Sequence, residues 1–388
     1  MKFSLIYEAQ TVETTADVEF QLFQDIIEQC VLAEALGFDC IWAVEHTALP
    51  QYAHMSAPET FLAFLAGKTS RIGIGHGVVC LPPAMNHPIK VAERIATLDI
   101  LSKGRVHFGV GKGGTQQEAG CFGYNLRDLP PMIEEAMYLI PRIMTEDFIE
   151  HDGEFVKIPR RPIHPKPYQK PHPPMYMACT RPDTLESAGS RGIGALVLGF
   201  GGPDDIAAKN AIYREAWAGR DPAKQVGFRP TEHLAALCPA VVLEDRDLAR
   251  RVGLRGQRFF VESLGHWYNG GPPPETNDLN AEENLAVMAR YADKSASISA
   301  DKIGTGRATD YKSSTVTTDA YGTVEDCTAY VRRLFDAGAD EILFLVQMGT
   351  VPHARVMETI RNIGEHVIPA LKAERAAADA PAPALVAS

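Results

Sequence analysis

Short apolar runs alternate with longer stretches of helical apolar spacing along almost the whole chain, and this alternation restricts the fold more than any other feature. Residues 3–7 read as a strand and 18–36 as a helix that stops at Gly37, a residue suited to the position just past a helix end. Further buried-strand runs fall at 39–44, 72–81, 105–110, 175–178, 195–200, 234–242 and 341–347. Helical spacing occupies 57–66, 87–101, 132–144, 183–191, 203–217, 244–260, 323–337 and 353–371. Strands that are apolar throughout, and do not alternate with polar residues, belong to a parallel sheet covered by helices. About eight β-then-α units, evenly spaced and with no boundary between two halves, predict an α/β fold of the closed (β/α)8 TIM-barrel type. The competing open, doubly wound sheet would need such a boundary. In a barrel, functional side chains stand at the C-terminal ends of strands and in the loops just after them.

The chain has 388 residues, 45% of them hydrophobic, which is ample for a large core. The expected organisation is one domain over 1–375 and a disordered Ala- and Pro-rich tail over 376–388. Two segments exceed ordinary loop lengths: the Pro-rich 147–174, and 263–321, which carries a helical patch at 281–291. Both are lid or pocket candidates, or else surface decoration. With 38 basic against 49 acidic side chains the formal charge is −11, which argues against nucleic acid or an anionic membrane as partner. No run of ~18 apolar residues suggests a membrane span. Seven scattered cysteines without a C-x-x-C pair read as reduced thiols. Together with a start that lacks the pattern of a signal peptide, they predict a cytoplasmic protein.

Several strand ends carry candidates for chemistry. Glu45-His46 follows the strand 39–44, where a barrel places acid–base groups, although a histidine merely hydrogen-bonded near a strand end fits the same pattern. Gly109-Val110-Gly111-Lys112-Gly113-Gly114 satisfies G-x-G-x-x-G, but 116–123 reads as loop and no acid ends a following strand, so a dinucleotide site is not expected. Its glycines and Lys112 allow either a phosphate-binding strand end or a tight turn with a solvated lysine. The strand 72–81 is rich in glycine and contains His76. Thr180-Arg181-Pro182 opens a helix, as an anion site or as an ordinary cap by Thr180. No H-x-x-x-H or His/Cys/Asp cluster suggests a metal, and no G-x-S-x-G suggests a serine hydrolase.

Four segments together resemble the bacterial luciferase-like family of flavin-dependent monooxygenases: 39–47 (DCIWAVEHT), 87–113 (HPIKVAERIATLDILSKGRVHFGVGKG), 165–189 (PKPYQKPHPPMYMACTRPDTLESAG) and 321–345 (YGTVEDCTAYVRRLFDAGADEILFL). The resemblance implies a (β/α)8 barrel holding reduced FMN at its C-terminal mouth, with the phosphate near Lys112 and Thr180-Arg181. It places the flavin ring against Gly77-Val78, which can be a non-prolyl cis peptide in this family, and near Ala178-Cys179. The first histidine of the family's E-H-H matches His46, the acid–base candidate. The second is Thr47 here, and Gly111 and Lys112 stand where luciferases carry cysteine and arginine, departures that speak against light emission from a long-chain aldehyde. The implied activity is a two-component monooxygenase: a separate flavin reductase supplies reduced FMN, O2 adds to it, and the resulting peroxyflavin oxygenates a small organic substrate. A homodimer is implied as well. Two rivals share the family: hydride transfer with a deazaflavin and without O2, and a non-catalytic flavin-binding relative.

Overall fold

A computed structural model describes residues 1–198, 200–289 and 318–379. Eight parallel strands close into a barrel: β1 (Lys2–Tyr7), β2 (Cys40–Ala43), β3 (Gly73–Cys80), β4 (Val106–Gly111), β5 (Met175–Cys179), β6 (Gly194–Val197), β7 (Leu234–Pro239) and β8 (Glu341–Leu345). Each pairs with its successor in this order, and β8 returns to β1 with Phe3 opposite Ile342. The expected TIM barrel is the fold found. Its connecting helices start where the sequence provides a start. Thr15 accepts a hydrogen bond from the Val18 amide at 3.4 Å ahead of Ala16–Ala35, and proline occupies the first turn of Pro58–Lys68, Pro88–Leu101, Pro182–Ser190 and Pro203–Ala218.

The differences from expectation have local causes. The run 234–242 divides: β7 ends at Pro239, and Val241–Val242 leaves the barrel to pair with Tyr321–Gly322. The helix expected to end at 260 runs over Arg246–Asn269 and stops at Gly270, whose φ of 68° suits glycine, so 263–269 is helix and not insertion. Residues 149–152 and 157–161 of the Pro-rich segment form an antiparallel pair. Gln116–Cys121, expected as loop, is a helix, because the Thr115 hydroxyl takes the Glu118 amide and the Glu118 carboxylate takes the Thr115 amide. The helical patch at 281–291 is helical over 281–289; its remainder, and 290–317 generally, lie outside the described residues. Helix Ile368–Ala378 reaches into the expected tail, of which 380–388 lie outside the described residues.

The lower barrel interior holds a polar layer. The Trp42 indole donates to Glu341 Oε1 at 2.9 Å, and His233 Nε2 lies 2.7 Å from Glu341 Oε2. Tyr176 stands edge-on to both Trp42 and His233, at 5.1 and 5.6 Å between ring centres. Burial would push the Glu341 carboxyl up, but hydrogen bonds from His233, Ser4 and Trp42 and the His233 charge hold it down at about 2. Trp42 in turn fills the space above Gly75, where a Cβ would stand 2.6 Å from its ring. Gly75→Ala is therefore expected to destabilise the fold by about 1–3 kcal/mol, read from the urea midpoint; an unchanged midpoint would mean that Trp42 is free to move.

Candidate functional site

The first two strands end side by side at the barrel mouth, and Glu8 and His46 follow them. The loops that carry them are held in sharp bends: Ala9, Ala48 and Gln51 all have positive φ, 55°, 58° and 67°. Such conformations are uncommon outside glycine and gather at sites where the surroundings impose them. Backbone bonds lace the loops together, from Met55 to the Glu8 carbonyl, from His54 to that of Ala9 and from His46 to that of Met55, at 3.1–3.2 Å.

His46 is placed between two acids. Its Nδ1 is 2.8 Å from Glu118 Oε1, and its Nε2 is 3.7 Å from Glu8 Oε2. Glu118 is held by its own turn: Oε2 accepts from the Gly114 amide, the Thr115 amide and the Thr115 hydroxyl, at 3.2, 2.9 and 2.8 Å. The Thr47 amide approaches Oε1 at 3.4 Å. Burial alone would depress the His46 imidazolium, but the Glu118 hydrogen bond and the charges of Glu8, Glu118 and Glu45 raise it above the ordinary value. Burial would raise Glu118, yet His46 and the donors at Thr115 and Gly114 hold it below the usual carboxylate range. Glu8 has the Tyr52 hydroxyl as its one such donor, and burial pushes it up to about 7 against the His46 charge and that hydrogen bond, with Glu118 adding to the rise. Aromatic rings roof this group. Tyr52 meets His46 edge to face at 5.2 Å between ring centres, and Tyr268 lies 6.3 Å from Tyr52. The preceding Trp267 donates to the Pro50 carbonyl at 3.1 Å, so the end of helix Arg246–Asn269 is pinned over the loop.

The second part of the mouth is glycine-rich and cationic. The Gly77–Val78 peptide is cis, as the resemblance implies, and the β3–β4 register shifts between His76 and Val79. At Gly111 a Cβ would collide with the Val78 side chain, which takes the room a cysteine would need there. Lys112, Thr180 and Arg181 are exposed on the rim. Loss of hydration and the neighbouring Arg181 guanidinium lower the Lys112 amine, and Arg181 itself makes a two-pronged pair with Asp183 at 2.9 and 2.7 Å. Helix Pro182–Ser190 is capped at Arg181 and not at Thr180. Ala178 is half-buried on β5, whereas the Cys179 thiol bonds to the Met177 and Thr184 carbonyls beneath that helix, so only the backbone of Cys179 is left to face a ligand. His76 is buried and held down to about 3, first by burial and then by the Arg94 charge, which keeps it neutral and away from the mouth chemistry. Glu45 accepts from the Cys80 amide and the Asn86 side chain, a loop-tying role.

Of the residues expected from sequence, His46, Gly77, Val78, Lys112, Ala178, Thr180 and Arg181 lie at the mouth; Glu8, Glu118, Tyr52 and Tyr268, which surround His46, were not among those expected. A signal existed for Glu118, since Thr115-x-x-Glu118 is a capping box; Glu8 shared the strand-end position that singled out His46. An open apolar pocket of about 720 Å3 lies between helices Ala16–Ala35 and Pro58–Lys68, with His46 in its wall beside Leu49 and Met55. Among the described residues no His/Cys/Asp/Glu group is arranged to hold a metal ion, and no helix is long and apolar enough to cross a membrane.

The sequence profile of the luciferase-like monooxygenase family matches residues 1–341. The alkanal monooxygenase alpha chain of Photorhabdus luminescens is 26% identical over 240 residues, 61% of this chain and 62% of that one. The oxygenase component of the flavin-dependent trigonelline monooxygenase of Acinetobacter baylyi is 34% identical over 203 residues, 50% of this chain and 52% of that one. The matched stretches therefore span about half to three-fifths of these relatives. Among solved structures, the monooxygenase RslO1 from Streptomyces bottropensis superposes with a TM-score of 0.74 at 23% identity, over 96% of this chain and all of that one. The coenzyme F420-dependent tetrahydromethanopterin reductase from Methanopyrus kandleri does so with 0.64 at 20% identity, over 95% and 99%. Those likenesses establish the same fold, and the profile extends over β1 to the start of β8, the elements that build the mouth around His46: the chain is a member of the luciferase-like monooxygenase family.

Proposed function

We propose that this chain is the oxygenase of a two-component system, which receives reduced FMN from a separate flavin reductase and uses O2 to oxygenate a small organic substrate. The observation that carries the reading is the pairing, on one barrel mouth, of a carboxylate-held histidine with two adjacent cations. Lys112 and Arg181 are like charges brought together beside the start of helix Pro182–Ser190, an arrangement that suits a phosphate. The residues present therefore fit a flavin mononucleotide, which supplies the electrons that activate O2 when bound. Lys112, as a point charge, and Arg181, through the guanidinium nitrogen that Asp183 leaves free of its two-pronged pair, would hold the phosphate. Val78 and Ala178 would flank the ring, and the buried Tyr52 would keep water from the His46 side of the mouth. Glu118 ties up Nδ1 of His46, so Nε2 is the nitrogen that holds or moves a proton.

Rapid mixing of protein and reduced FMN with oxygenated buffer tests this. Flavin oxidation is expected to be slower than for free FMN, with an oxygen atom of labelled O2 recovered in product from a substrate panel. Oxidation at the free rate and no product would defeat the proposal. Arg181→Gln and Lys112→Met are each expected to weaken FMN binding by about tenfold or more, as loss of a charged hydrogen bond does; fluorescence titration reads it, and equal affinity would remove the phosphate site from this rim. The same fold serves F420-dependent enzymes, and a carboxylate-held histidine also suits hydride transfer. Turnover with a deazaflavin under strict anaerobiosis would move the reading there.

A further inference from the structure

We propose that Glu8 exchanges a proton with His46 Nε2, acting through the imidazole as a positioning and proton-supplying residue, while Glu118 only orients the ring. The use of that proton in oxygenation rests on the function proposed above; the exchange itself does not. The two acids meet the same imidazole on unequal terms. Four donors surround Glu118, from Thr47, Gly114 and Thr115, and they favour its charged form. Glu8 is 8% exposed and its Oε2, the oxygen that faces Nε2 at 3.7 Å, has no hydrogen-bond partner. A buried carboxylate oxygen left so is costly unless the group carries a proton or answers a cation, and His46 provides both possibilities in turn. The gap is too long for a hydrogen bond and short enough for one to form with a small side-chain movement.

The groups that bear on this pair come from several elements. His46 is faced by Glu8 after β1, Glu118 in helix Gln116–Cys121, Glu45 beside it and the Tyr52 ring. Glu8 is faced by His46, Glu118 and Tyr52, and its charge also acts on Tyr268. With Glu8 pushed up to about 7 by its burial, its carboxylic acid and its carboxylate are both populated at neutral pH. The step is a proton transfer alone. After Nε2 has given its proton to the reacting oxygen, the Glu8 O–H bond breaks, an N–H bond forms at Nε2, and the Glu8 carboxylate takes its next proton from water.

The decisive measurement is the NMR titration of the His46 ring in the full chain, its resonance assigned by its loss in His46→Gln. The native protein is expected to show a second inflection near neutral pH. In Glu8→Gln that inflection disappears and the His46 midpoint falls by about one pH unit, as loss of a close opposite charge requires. Glu8→Asp restores part of the shift. In turnover, Glu8→Gln is expected to change kcat and its pH profile, with KM nearly constant. An unchanged His46 titration in folded Glu8→Gln overturns the proposal. A shifted titration in a protein that oxygenates no substrate supports the proton pair and defeats the assigned reaction instead.

Discussion

His46→Ala is expected to lower product formation by about 10²–10⁴-fold, the span general acid–base groups contribute, and to leave FMN affinity nearly unchanged. The two expectations separate because the groups sit on different strands. His46 follows β2, whereas Lys112 and Arg181, the proposed phosphate cradle, follow β4 and β5. The pH dependence has a definite sign. The carboxylates around His46 raise its imidazolium above the ordinary histidine value, burial notwithstanding. A step that needs the protonated ring therefore persists above that ordinary value and is lost as pH rises through the raised one. Steady-state product assays across pH, with flavin binding measured on the same samples, read both effects. Equal turnover in the alanine variant would take His46 out of the chemistry, and lost FMN binding would make it a binding residue.

Glu341→Ala is expected to cost about 3–5 kcal/mol of stability, the penalty for removing one partner of a buried charge pair. The side chain is 1% exposed at the start of β8 and answers the Trp42 indole on one oxygen and His233 on the other. Without it, a buried indole N–H and an imidazole lose the partner they share. Because the Glu341 carboxyl is depressed to about 2 from an ordinary 4.5, its contribution is present in full above about 4.5 and is lost as pH falls toward 2. Urea midpoints of the native chain should therefore fall steeply over that interval, and those of Glu341→Ala less so. The same acid slope in both proteins would mean that other carboxylates govern acid unfolding.

The barrel was legible because burial on both faces leaves a local trace: strands such as Ile342–Leu345 and Cys40–Ala43 are apolar at every position. His46 was legible for a similarly local reason, a titratable residue directly after such a run. Its partners were not. Glu118 lies 72 residues away in sequence, and its helix was hidden by two neighbouring glycines that the capping box overrides. Cys179 was placed at the mouth with Ala178, although the two-residue period of a strand turns their side chains to opposite faces; with Ala178 on the mouth side, the thiol faces the helix.

The sequence by itself determined the order of strands and helices, the closed parallel architecture and the strand ends where chemistry would gather, since each follows from the period of apolar residues along a short stretch. Only the tertiary structure decided which ionisable groups meet. Barrel closure brings Glu341 to Trp42 across 299 residues and sets Glu8, His46 and Glu118 within one desolvated mouth. Proton affinity depends on that company and on the water it displaces, neither of which is written in any local pattern of residues.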